Sequence, residues 1–162
     1  MKIVGFAGWS GSGKTTLIEQ LITLMVADGL RVATIKHTHH DFDLDQTGKD
    51  SWRHRAAGAS EVLLASDKRW ALLHELRDVP TPDLSGLLAK LSPCDVVLIE
   101  GCKFVNVPKL EIYRTALGKP SLHLHDDAIM AVVTDTVIDI SLPQLDLNQP
   151  VLVYAYLKAH LL

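Results

Sequence analysis

Residues 8–15 read Gly8-Trp9-Ser10-Gly11-Ser12-Gly13-Lys14-Thr15, the glycine-rich pattern of a Walker A phosphate loop. The setting agrees with the motif. The apolar run Ile3-Val4-Gly5-Phe6-Ala7 precedes it, and the helix-like run Thr16-Leu17-Ile18-Glu19-Gln20-Leu21-Ile22 follows it. Strand, glycine turn and helix, in that order, are the context the motif requires. Gly8, Gly11 and Gly13 let successive backbone N–H groups curl inward onto an anion. The N-terminus of the following helix adds unpaired donors and partial positive charge. Lys14 is placed to reach the β- and γ-phosphates of a nucleoside triphosphate, and the Thr15 hydroxyl to coordinate Mg²⁺.

Working outward, the spacing predicts a strand over residues 2–7, a helix over 14–28 ended by Asp28-Gly29, and a second strand over 31–36. The length of that unit suits a parallel crossover. A short helix is expected over about residues 48–57. Apolar segments 61–65 and 69–76 flank Ser66-Asp67-Lys68 and read as a hairpin. Asp83 is a candidate cap for a helix running to about Leu91. Asp95-Val96-Val97-Leu98-Ile99-Glu100-Gly101 is continuously apolar between two carboxylates, as a doubly covered parallel strand would be. Leu110–Arg114 and Ile129–Thr134 are further strands, and Val151–Tyr154 is read as a last short strand before a terminal helix. The expected fold is α/β: a P-loop NTPase-like three-layer arrangement with a mainly parallel sheet and a β-hairpin extension.

With 162 residues and no repeats, the chain is expected to form a single domain, residues 1–162, with a sizeable core. Nineteen acidic and 16 basic residues leave no basic field, which disfavours nucleic acid as a partner. No apolar run is long enough for a bilayer, so no membrane partner is expected. No secretory pattern precedes the first strand, and two cysteines, Cys94 and Cys102, imply no disulfide framework. A soluble cytoplasmic protein is the expectation.

A P-loop protein needs a second carboxylate for Mg²⁺ or its water, at the end of a neighbouring strand. Asp95 starts its strand and lies roughly 16 Å from the ligand edge at about 3.3 Å per residue. Glu100 ends the strand and is the candidate. Lys103 follows it, facing either phosphate or solvent. After the second strand, His37-Thr38-His39-His40-Asp41-Phe42-Asp43-Leu44-Asp45 also falls at that edge. It reads as a switch-like loop using Asp43 or Asp45, as a Zn²⁺ or Ni²⁺ site of His37, His39 and His40, or as a plain polar loop. Lys49, Arg53 and Arg55 suit an anionic ligand or simple solvation. His123-Leu124-His125-Asp126-Asp127 reads as a turn before the Ile129 strand. Thr134-Asp135 follows an apolar strand, where Asp135 either reads a guanine base or caps a helix. No Asn-Lys-x-Asp guanine signature is present.

Taken together, the residues resemble the MobB family, adapter proteins of molybdopterin-guanine dinucleotide biosynthesis. The resemblance rests on Gly8–Thr15 with Leu17, Lys36-His37-x-His39-His40-x-Phe42-x-x-Asp45, Gly48-Lys49-Asp50-Ser51 to Ala57-Gly58-Ala59, Glu100-Gly101-x-Lys103, and Pro108-Lys109-x-Glu111 with Arg114. It covers about three-quarters of the chain. Cys102 departs from the bulky apolar residue typical between Gly101 and Lys103. The family implies GTP and Mg²⁺ as cofactors and a weak intrinsic GTPase. It also implies a homodimer using an extended β element. The implied partners are the molybdenum cofactor guanylyltransferase, which joins GMP to molybdopterin, and a molybdopterin-type cofactor. On this resemblance Gly8, Trp9, Ser10, Gly11, Ser12, Gly13, Lys14, Thr15 and Thr16 hold the phosphates. Thr15 and Glu100 hold the metal, and Asp45 and Asp50 are candidates to orient water. Two rival functions share the loop: a small-molecule kinase, and a nickel- or zinc-delivery GTPase using the His37–His40 loop.

Overall fold

The computed structural model describes residues 1–38, 42–101 and 105–162. Along the chain run β1 (Lys2–Ala7), α1 (Lys14–Ala27), β2 (Val32–Lys36), α2 (Asp50–Ala56), β3 (Glu61–Ala65), β4 (Trp70–His74), α3 (Leu84–Leu88), β5 (Val96–Glu100), β6 (Lys109–Tyr113), a 3₁₀ turn (Thr115–Leu117), β7 (Ile129–Thr134), β8 (Gln144–Asp146) and α4 (Pro150–His160). They form two compact units, one of Met1–His37 with Leu87–Leu162 and one of Thr38–Gly86.

The larger unit is built on a six-stranded sheet in the order β2-β5-β1-β6-β7-β8, with every pairing parallel. Alternation along each strand sorts its residues by face. Val4 and Phe6, Val96 and Leu98, Leu110 and Ile112, and Ala131 and Val133 share one core with Leu17, Leu21 and Met25 of α1 and Val153 and Leu157 of α4. The other face is buried too, at Val97, Ile99 and Val132, which explains why β5 shows no polar alternation. That second face also buries two charged residues, Lys109 and Glu111. Asp28 closes α1, with its backbone N–H bonded to the Leu24 carbonyl. Its carboxylate receives the Tyr154 hydroxyl at 3.0 Å and Lys158 at 3.1 Å, so α4 is fastened to the end of α1.

The smaller unit contains α2 and the antiparallel β3–β4 hairpin, paired from Glu61↔His74 to Ala65↔Trp70. Arg55 of α2 organises it. Its guanidinium donates to Asp45 through Nε at 3.0 Å and Nη2 at 2.6 Å, to Asp43 at 2.8 Å and to Glu75 at 2.6 Å. Asp83 caps α3 by accepting from the Gly86 N–H at 2.8 Å, as expected, although the helix stops at Leu88.

One element differs in type from the sequence expectation. Val151–Tyr154 is not a strand but part of α4, and the last strand is Gln144–Asp146. Four apolar residues cannot separate a buried strand from a helix. Pro150 at the first helical turn, with its φ preset and no N–H to lose, is the signal that favours the helix.

Asp95 stands where expected, at the edge remote from the loop, gripped by Arg31 through its backbone N–H at 2.8 Å and its guanidinium at 3.0 Å. These bonds hold its carboxyl down to about 2, from an ordinary value of 3.8. A depressed folded-state value means the ion pair contributes fully above about pH 4 and is lost as pH falls through about 2. Asp95→Asn is therefore expected to be less stable than the parent at pH 7, with the difference closing between about pH 4 and 2. Urea unfolding across that range checks it; a pH-independent difference contradicts it.

Candidate functional site

The parallel register places the functional groups at one edge. Phe6 of β1 lies beside Glu100 of β5 and Leu110 of β6, so β1 and β5 end together at the loop of residues 8–13 while β6 runs on beside it to Tyr113. The loop turns through positive φ at Gly8, Gly11 and Gly13, and Gly13 caps α1 in the left-handed region. Gly8 is required twice over: its φ is 151°, and a Cβ there would lie 2.5 Å from the Ile112 carbonyl oxygen. Gly13 offers α1 no side-chain cap, and α1 carries no acidic residue in its first turn. The orphan N–H groups are thus left to an anionic ligand.

Lys14 folds back over the loop, donating to the carbonyls of Gly8 at 2.9 Å and Trp9 at 2.8 Å. Its ammonium is held where phosphate oxygens would lie, ready to exchange carbonyl partners for anionic ones. The Thr15 hydroxyl donates to Glu100 Oε1 at 3.0 Å. Glu100 Oε2 lies 3.5 Å from Lys36 Nζ, and the Glu100 side chain is only 15% exposed. A hydroxyl and a carboxylate converging beside a phosphate cradle form a hard-oxygen pair, which fits Mg²⁺ rather than a soft metal. Among the described residues, no group of three or more His, Cys, Asp or Glu side chains is arranged to hold a metal. His39, His40, Cys102 and Lys103 lie outside the described residues.

On the far side of the loop, a cavity of about 230 Å³ opens against α1, lined by Gly13, Thr16, Gln20, Arg114, Leu147 and Asn148. Arg114 ties it together. Its Nε donates to the Ser12 carbonyl at 3.0 Å and its Nη1 to Asp135 at 2.8 Å. Asp135 is therefore at the ligand edge but engaged by an arginine. In the sequence Arg114 entered only through the resemblance, and nothing local linked it to Asp135, 21 residues away. Gln20 and Asn148 carried no local signal either; they are brought together by the packing of α1 against α4, which Asn148 precedes.

In the smaller unit, Asp45 accepts from Arg55 Nε at 3.0 Å and Nη2 at 2.6 Å, and the guanidinium holds its carboxyl below the usual range. Asp50 is exposed at the first turn of α2. Arg55, one of the cations suited on sequence to an anionic ligand, is instead committed to three carboxylates.

Strand order, loop and strand-end carboxylate together define a P-loop NTPase-like α/β protein. The family model described as molybdopterin guanine dinucleotide synthesis protein B matches residues 3–135. The molybdopterin-guanine dinucleotide biosynthesis adapter protein of Escherichia coli (strain K12) is 40% identical over 149 residues, covering 90% of this chain and 85% of that one. The adapter protein of the same name from Haemophilus influenzae is 40% identical over 147 residues, covering 91% and 82%. The crystal structure of molybdopterin-guanine biosynthesis protein B superposes with a TM-score of 0.78 at 26% identity, covering 97% and 98% of the two chains. That of Bacillus subtilis MobB superposes with a TM-score of 0.76 at 26% identity. The chain belongs to the MobB family.

Removing either central contact should have a distinct signature. Lys14→Ala is expected to weaken triphosphate binding by at least about 2 kcal/mol, roughly thirtyfold, because charge-assisted bonds to phosphate are lost. Glu100→Gln should leave metal-free affinity nearly unchanged and abolish the gain on adding Mg²⁺. Calorimetry with and without Mg²⁺ separates the two.

Proposed function

We propose that this protein is a GTP-binding adapter with weak GTPase activity that assists attachment of GMP to molybdopterin. It works with the molybdenum cofactor guanylyltransferase, in the cytoplasm, as a homodimer. The observation that carries the nucleotide part is the Thr15–Glu100 contact of 3.0 Å beside the folded Lys14. The adapter role draws on the 40% identity to proteins of that name.

In this reading the loop N–H groups and Lys14 bind and orient the phosphates, while Thr15 and Glu100 hold Mg²⁺, which neutralises charge on the β- and γ-oxygens when bound. Fast hydrolysis also needs an oriented water and an additional cation on the transition state. Asp45 and Asp50 are the groups to test for water orientation. Asp50, exposed at the head of α2, is the less encumbered of the two. Arg55 and Arg114 are both engaged by carboxylates, which favours slow turnover unless an arginine arrives from the second protomer. The cavity beside Gln20, Arg114 and Asn148 is the natural seat for the base, with Asp135 reading guanine if Arg114 releases it.

The homodimer draws on the hairpin. Its two strands form their own sheet, and Leu63, Leu64, Trp70 and Leu72 are between 42% and 63% exposed. An isolated two-stranded hairpin with exposed apolar side chains is marginal alone and gains by pairing with a second copy. Leu63→Glu with Trp70→Glu is expected to yield monomer by light scattering, while the parent elutes as dimer; an unchanged mass contradicts the hairpin interface.

The adapter role is tested by mixing the protein with the transferase. Pull-down of the transferase and a higher yield of the dinucleotide cofactor are expected, together with preference for GTP over ATP and CTP in a Mg²⁺ binding panel. Failure of both pull-down and yield would sink the adapter role. Phosphoryl transfer to an added acceptor in preference to water would favour a kinase.

A further inference from the structure

Strand β6 braces the phosphate loop from its flank. In the order β1-β6-β7 it stands between the strand that feeds the loop and β7. It also outruns β1: Ala7 pairs with Glu111, so Ile112, Tyr113 and Arg114 run on beside the loop itself. The Ile112 carbonyl lies against Gly8, where a Cβ would meet it at 2.5 Å. On the other side Tyr113 pairs with Thr134, so the next residues along, Arg114 and Asp135, stand side by side. Strand order and register thus put one arginine between the loop and a carboxylate at the end of β7.

Arg114 engages both. Its Nε donates to the Ser12 carbonyl at 3.0 Å and its Nη1 to Asp135 Oδ2 at 2.8 Å. Both side chains of the ion pair are partly exposed, so the pair adds little stability of itself. What it fixes is direction, because two nitrogens of one planar group are each held by an acceptor. The guanidinium lies against Gly13: a Cβ built there would be 3.4 Å from Nη2 and 3.7 Å from Nε. Gly13 is the left-handed residue, at φ 97°, that starts α1. The Ser12 N–H turns back to the Trp9 carbonyl at 3.2 Å, so the next peptide unit decides whether the following donor faces an anion. Within a trans peptide unit the C=O and N–H point in opposite directions. Holding the Ser12 carbonyl on the Arg114 side therefore turns the Gly13 N–H to the opposite side, toward the cradle.

We propose that Arg114 is a positioning residue for phosphate binding: anchored on Asp135, it holds the Ser12–Gly13 peptide so that the Gly13 N–H faces the anion before a ligand arrives. It acts through the loop and not by touching phosphate. A donor already aimed costs no reorganisation when the ligand binds, and that saving appears as affinity. The role rests on the phosphate-loop reading above, but not on which nucleotide binds. It also gives Asp135 an effect on phosphate binding opposite to that of its charge. Removing a negative charge near an anion site by itself strengthens anion binding; removing the anchor of Arg114 weakens it. Lysine is no substitute for the arginine, since one ammonium nitrogen keeps the charge but cannot replace two nitrogens held apart in a plane.

Inorganic tripolyphosphate in Mg²⁺-free buffer is the probe, because it has no base for Asp135 to read. Its affinity for the full chain is measured by calorimetry, and the Gly13 amide is followed by NMR, since an N–H that donates to a phosphate oxygen moves downfield. The parent is expected to bind and to show that shift at saturation. Arg114→Gln and Arg114→Lys should each lose about fivefold or more in affinity and at least half of the Gly13 shift. Asp135→Ala should lose about threefold, and Arg114→Gln with Asp135→Ala should bind like Arg114→Gln alone. A merely structural arginine would lower affinity yet leave the saturated Gly13 shift unchanged. Should Arg114→Gln fail to fold, Arg114→Lys and Asp135→Ala decide the matter. Full affinity in Arg114→Lys, tighter binding by Asp135→Ala, additive losses in the double variant, or an unchanged Gly13 shift would each overturn the proposal and leave the phosphate loop in place. A parent that binds neither tripolyphosphate nor GTP would remove the phosphate reading itself, and this role with it.

Discussion

The parallel register of β1 with β5 is the constraint on which the rest depends. Phe6 pairs with Glu100, so the chain leaves β1 into the phosphate loop at the level where β5 ends in its carboxylate. A slip of one residue would turn Glu100 from the Thr15 hydroxyl and reverse which side chains of β5 meet α1. The same pairing that fills the core with Val4, Phe6, Val96 and Leu98 therefore also brings the Glu100 carboxylate to the Thr15 hydroxyl. Stability and site geometry are one constraint here, because both are read from alternate residues of the same two strands.

Around that edge the structure leaves strong groups in reserve and commits others. The first N–H groups of α1 have no side-chain cap, and Lys14 is held on loop carbonyls by bonds that an anionic oxygen would replace with stronger ones. Arg114 is the opposite case: it is fixed by Asp135 and the Ser12 carbonyl and shapes its neighbourhood rather than waiting for a ligand. An edge so arranged suits the adapter role proposed for this MobB-family protein. On the opposite face, the buried pairs of Lys109 and Glu111 sacrifice apolar packing to hold an irregular segment in place.

Much of the fold was legible locally. The strands at residues 2–7 and 96–100, the first helix and the hairpin are visible as apolar runs bounded by glycine or polar turns. Glu100 was preferred to Asp95 from strand direction alone, and Arg31 indeed occupies Asp95 at the far edge. Where local signals were short they misled: Val151–Tyr154 is too brief a run to distinguish strand from helix, and Pro150 was the better guide. The cluster of residues 123–127 read correctly as a turn, but its sequence neighbours are not its chemical partners. His123 and Asp126 find theirs 12 and 17 residues earlier, on β6.

The amino-acid sequence by itself determined what kind of loop this is, because a phosphate cradle is made from consecutive residues whose backbone freedom and side-chain type are local properties. It also determined which strand end carries the carboxylate, since direction along a strand is written in order of residues. Only the tertiary structure decided that Arg114 bridges Ser12 and Asp135, that Gln20 meets Asn148 across one cavity, and that Lys109 and Glu111 are buried against Asp126 and His123. Those relations join segments from about 10 to more than 100 residues apart, and the partner of a side chain at such a separation is set by sheet order and register, which no local pattern encodes.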